Sequence, residues 1–84
     1  MGLSMLNACQ SSDQRAEEHK NFGIELFEKG EYTKAKLEFN SALKEDGTLP
    51  TTFYYLALLN EKNKNFRAMR ENLKHAVKLD PEYI

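Results

Sequence analysis

The feature that most constrains this chain is a pattern read twice along it, with a 34-residue period. Phe22-Gly23 returns as Leu56-Ala57, Tyr32 as Phe66, Phe39 as Leu73, Ala42 as Ala76, Leu43 as Val77 and Asp46 as Asp80. The helix breaker Gly47 returns as Pro81. A regular period of this length points to stacked helical hairpins, each unable to bury its apolar face alone. The 84 residues bound the chain to one domain, and a chain so short is only marginally stable unless something supports its core.

Four helices follow from the local pattern. The first runs from about 13 to 29, with Ser12 or Asp13 as its amide-capping residue and Gly30 free to take a left-handed closing conformation. Gly23 lies inside it, where a missing Cβ lets a second helix approach closely. The second helix runs from about 33 to 45, with Ala35, Phe39, Ala42 and Leu43 as its apolar stripe and Tyr32 plugging the turn. Residues 46–50, Asp-Gly-Thr-Leu-Pro, form a break. The third helix, about 51 to 62, is apolar almost all the way round and so is buried on several sides. Asn63-Lys64-Asn65 makes the next turn, with an Asn expected in the left-handed position. The fourth, about 66 to 79, turns Met69, Leu73, Ala76 and Val77 inward and carries Arg67, Arg70, Lys74 and Lys78 outside.

The chain resembles the tetratricopeptide repeat (TPR) family, whose 34-residue unit runs W-x2-L-G-x2-Y, then A-x3-F, then P. The first repeat, about 16–49, supplies His19, Phe22, Gly23, Leu26, Ala35-x3-Phe39 and Ala42. The second, about 50–83, supplies Phe53, Leu56, Ala57, Asn60, Met69-x3-Leu73, Ala76 and Pro81. His19, Asn60 and Met69 depart from the pattern, and His19 is read as a substitute for the packing aromatic. The resemblance covers about four-fifths of the chain and implies an all-α fold of tandem helix–turn–helix repeats, an α-solenoid of four main helices over 13–84.

The resemblance also implies a concave groove lined by the first helix of each repeat. Residue by residue, that places Lys20, Asn21, Ile24 and Phe27 beside Tyr54, Tyr55 and Leu58. Aromatic residues inside a charged rim suit the capture of a peptide or a partner helix. The alternative is that Tyr54 and Tyr55 are core. Some members clamp a chaperone's C-terminal carboxylate with Lys and Asn. Lys20 matches that motif, but Ile24 and Tyr55 stand where its Asn residues belong, so no clamp is expected.

Residues 1–12 lie outside the repeat as an N-terminal tail. Within it, Leu6-Asn7-Ala8-Cys9 is similar to a bacterial lipobox, followed by a polar Gln10-Ser11-Ser12-Asp13 tether. That resemblance implies a lipid anchor at Cys9 and a place in the cell envelope, outer membrane or periplasm, among repeat lipoproteins that help assemble pili or similar machinery. The tail shows no basic start and no apolar stretch of signal-peptide length. The other reading is a flexible tail with an incidental cysteine and a cytoplasmic protein.

Chemistry is sparse. No phosphate loop, nucleophile elbow or paired metal-ligand motif occurs. His19 and His75 fall on different repeats, and a zinc site needs three protein ligands. No enzyme, cofactor or metal is expected. The net charge of −1 and the lack of aromatics among the basic residues point away from nucleic acid. The expected role is a non-catalytic protein-binding scaffold. The alternative is a self-associating module, a homo-oligomer joined through the open face at 66–84.

Overall fold

The computed structural model describes residues 11–83. It is all-α among these residues, with four helices: α1 Ser12–Glu28, α2 Tyr32–Glu45, α3 Pro50–Lys62 and α4 Phe66–Leu79. Helices α1 and α2 form one antiparallel hairpin and α3 and α4 a second. The two hairpins join chiefly through α2 against α3, with a lesser contact of α1 on α3.

The 34-residue period recurs in the backbone itself. Helix α2 shifted by 34 becomes α4, and the end of α1 becomes the end of α3. Gly30 takes φ +80° and its counterpart Lys64 takes φ +59°. The Glu31 N–H donates to Leu26 O at 2.9 Å, and the Asn65 N–H donates to Asn60 O at 2.8 Å. Both second helices close on an aspartate, where the Asp46 N–H reaches Ala42 O and the Asp80 N–H reaches Ala76 O. Each aspartate then turns the chain in the same way. Asp46 Oδ1 accepts from the Thr48 N–H at 2.9 Å, and Asp80 Oδ1 from the Glu82 N–H at 3.1 Å. The Thr48 hydroxyl adds a second bond to Asp46, and these bonds hold its carboxyl below the usual range.

Three local expectations change. The cap of α1 is Ser11, not Ser12 or Asp13. Its Oγ accepts from the Gln14 N–H at 3.2 Å while Gln14 Oε1 accepts from the Ser11 N–H at 2.9 Å, a reciprocal capping box. The left-handed residue of the second turn is Lys64, not an Asn, because the register inherited from Gly30 decides the position. His19 does not serve as an apolar plug. Its Nδ1 meets Glu38 Oε1 at 2.8 Å, a polar tie from α1 to α2, alongside Arg15 to Glu45 at 3.1 Å. At the matching place in the second hairpin, Phe53 stacks on His75 at 5.0 Å.

The core is built of Leu26, Ala35, Phe39, Leu56 and Leu59, with Ile24, Phe27, Leu43 and Tyr55 packed against it. Phe39 is its one fully buried ring among the described residues. A Cβ built on Gly23 would lie 2.7 Å from that ring, so the glycine is what lets α1 and α2 meet here. Met69 and Leu73 are half-buried as expected, whereas Val77, expected inward, is exposed.

One buried group works against the fold. Thr52 is fully buried and its hydroxyl finds no hydrogen-bond partner among the described residues. An unmade bond of this kind costs about 1–3 kcal/mol. Thr52→Val keeps the shape and removes the hydroxyl, so it should raise the unfolding free energy by about 1 kcal/mol in urea titration. A loss of stability would mean that the hydroxyl is satisfied.

Candidate binding groove

The residues expected to line a groove come from equivalent places on two helices. Lys20, Asn21 and Ile24 of α1 map by one repeat onto Tyr54, Tyr55 and Leu58 of α3. The structure joins several of them into a continuous series of rings. Phe27 of α1 meets Tyr55 of α3 edge-on, with centroids 5.3 Å apart. Tyr55 meets Tyr54 at 5.7 Å, also edge-on. The series extends from Phe27 to Tyr32 at 5.3 Å, and from Tyr54 to Tyr83 at 5.8 Å. These offset and edge geometries are the ones that aromatic quadrupoles favour.

The members differ in depth. Tyr55 is stacked on the buried Phe39 at 5.5 Å, and it belongs as much to the junction between hairpins as to the surface. Ile24 and Phe27 also lean on the core. Tyr54 and Leu58, one turn apart on α3, are half-buried. Asn21 is exposed, and Lys20 is half-buried with its ammonium on Glu17 at 2.7 Å. Both tyrosines are half-buried; Tyr55 packs against the core, whereas Tyr54 packs on Tyr55 and Tyr83.

Charge sits at one end of the series. The Lys62 ammonium stands 5.3 Å from the Tyr32 centroid and 5.9 Å from that of Phe27, within cation–π range. Burial raises the Tyr55 hydroxyl above its ordinary pKa of 10.0, and the Glu28 carboxylate adds to the effect, as do Tyr83 and Tyr54. Glu28 is thus close enough to be felt by the ring, opposite in sign to Lys62. The strip has an apolar middle and charges of both signs at its margin.

Tyr83 is the member that periodicity missed. Its hydroxyl donates to Thr51 Oγ1 at 2.8 Å, which folds the residues after Pro81 back onto the start of α3. The repeat register places Leu49 at the equivalent point. That register signals an apolar residue there but not its ring contact with Tyr54.

Among the described residues, no three His, Cys, Asp or Glu side chains gather into a metal-holding group, and no helix is long and apolar enough to cross a membrane. Cys9, the candidate for lipidation, lies outside the described residues. Comparison with protein-family models, with curated proteins and with solved structures returned no match.

Proposed function

We propose that this chain is a non-catalytic protein-interaction module of the TPR kind, which lays a peptide or a partner helix along the strip from Phe27 to Tyr54. The observation that carries this reading is the ring series itself. Five rings run from Tyr32 through Phe27, Tyr55 and Tyr54 to Tyr83, each within 5.8 Å of the next. A rigid, half-exposed aromatic surface costs little side-chain entropy to use, and a few such rings carry most of the energy of a protein interface. Lys62 and Glu28 at one end, with Lys20 and Asn21 on α1, supply the polar margin that fixes register. The lipobox-like Leu6–Cys9 would tether the module to a cell-envelope membrane, where the same surface would serve assembly of envelope machinery. The 34-residue echo of the turns and caps supports the family resemblance.

A random-peptide display library selected on the intact chain tests the reading. Selected peptides should lose about tenfold to a hundredfold in affinity on Tyr54→Ala, an interface truncation of about 2 kcal/mol. They should also weaken on Asn21→Arg, which touches only the surface. Circular dichroism should show both variants folded. Peptides indifferent to both changes would move the site off this face.

A further inference from the structure

The two ends of the hairpin stack carry opposite charge. Helix α1, at one end, holds five carboxylates and two basic side chains. Helix α4, at the other, holds four basic side chains and one carboxylate. The chain as a whole is nearly neutral, at −1. The segregation is therefore by position, not by composition.

Apolar residues at these ends are also left uncovered by any described element. Leu73 and Val77 of α4 stand one repeat after Phe39 and Leu43 of α2, which pack into the core shared with α3. Among the described residues no further helix covers α4, and Val77 is 38% exposed over a shallow hollow walled by Leu73, Arg70 and Lys74. At the opposite end, Phe22 stands one repeat before Leu56, which is buried against α2. Phe22 is 48% exposed. It lies between Glu18 and Glu25, the counterparts of the buried Thr52 and Leu59, and both glutamates are exposed. Each end thus holds half of the contact that α2 and α3 make inside the chain.

From this we infer that α4 of one copy receives α1 of a second copy, so that the chain assembles head to tail. The joint follows the α2–α3 packing in its apolar part, Phe22 seating on Leu73 and Val77, and departs from it in charge. Glu18 and Glu25, in the places of the buried Thr52 and Leu59, pair with Arg70 and Lys74 on the walls of the same hollow. The match of sign selects a second copy's α1 over a second α4, because two basic faces repel. A heterologous contact of this kind leaves a free acidic end and a free basic end on every assembly, so it propagates until it closes into a ring. Stacked repeats gain stability from each added neighbour, which gives two hairpins a reason to associate with more. This inference is independent of what the aromatic strip binds.

Sedimentation velocity over a wide concentration range tests it, with the full chain. At low salt the average mass should rise with concentration. At about 0.5 M salt, where screening shortens charge interactions to a few ångströms, it should fall back towards the monomer. Glu18→Lys with Glu25→Lys makes both ends basic. Arg70→Glu with Lys74→Glu makes both ends acidic. Each pair alters only exposed side chains, and each variant alone should associate roughly tenfold more weakly or worse. An equimolar mixture of the two variants should recover association, since the reversed α1 of one then faces the reversed α4 of the other. A monomer at every concentration in low salt overturns the inference. So does an assembly that strengthens with salt and ignores the α1 reversal, which would be a symmetric contact of two α4 faces.

Discussion

Phe39→Ala is expected to leave the chain largely unfolded at room temperature. The ring is fully buried and lies between Gly23 of α1 and Tyr55 of α3, so it serves the first hairpin and the joint between hairpins together. Removing a buried ring costs about 3–5 kcal/mol. A domain of this length is stable by roughly 5 kcal/mol in all. Far-ultraviolet circular dichroism and urea titration read the outcome directly, and a variant with a near-native midpoint would show that the core lies elsewhere.

The same ring decides the sign of Gly23→Ala. In an exposed helix that change would gain about 1 kcal/mol. Here the new methyl would stand 2.7 Å from Phe39 Cε1 and 2.9 Å from Cδ1. The ring is fully buried, so overpacking of about 1–3 kcal/mol is expected to outweigh the gain. The second hairpin carries the alternative pair, Ala57 and Leu73, at the places one repeat after Gly23 and Phe39. Gly23→Ala combined with Phe39→Leu should therefore cost less than the two changes added together, by about 0.5 kcal/mol or more. Strict additivity would mean that the methyl and the ring do not meet.

The second large effect belongs to Tyr55. Its ring touches Phe27, Phe39 and Tyr54, so it ties α1 and α2 to α3. Tyr55→Ala should cost about 2–4 kcal/mol, and the amides of α3 and α4 should lose exchange protection before those of α1 and α2. Tyr55→Phe keeps the ring and should keep the fold. It should also alter the response to alkali. The folded state holds the phenol protonated above its ordinary pKa of 10.0. Stability from this group is therefore complete below pH 10.0 and is lost as the pH rises through the higher folded value. Melting curves across that window should fall more steeply for the native chain than for Tyr55→Phe, and identical slopes would contradict the raised pKa.

Much of this architecture was legible before any coordinates. The bounds of α4 and, to within a residue, the close of every helix follow from one period, because turn positions, closing aspartates and apolar stripes recur with it. What the period could not carry is context. Val77 occupies the place of Leu43, and Phe22 that of Leu56, yet both are exposed, since a repeat position is buried only when a neighbouring helix arrives to cover it. The His19–Glu38 tie was hidden for a different reason. Its partners lie on two different helices, and a family pattern that expects an aromatic at His19 has no term for a hydrogen bond. The rings of α1 and α3 that the sequence grouped do lie together, but the series continues to Tyr83, which depends on a chain reversal that single-residue patterns do not report. Tyr54 and Tyr55 looked alike in sequence, and only packing sets Tyr55 on Phe39 at the joint and Tyr54 on Tyr83.

The pairing of each helix mainly with its immediate successor has a kinetic consequence. Within each hairpin, contacts close over short loops, and the joint between hairpins links helices that are adjacent along the chain. No distant segment must be found and held while the rest waits. Such a chain is expected to fold in microseconds to milliseconds, with either hairpin able to start and the other to follow as a zipper does.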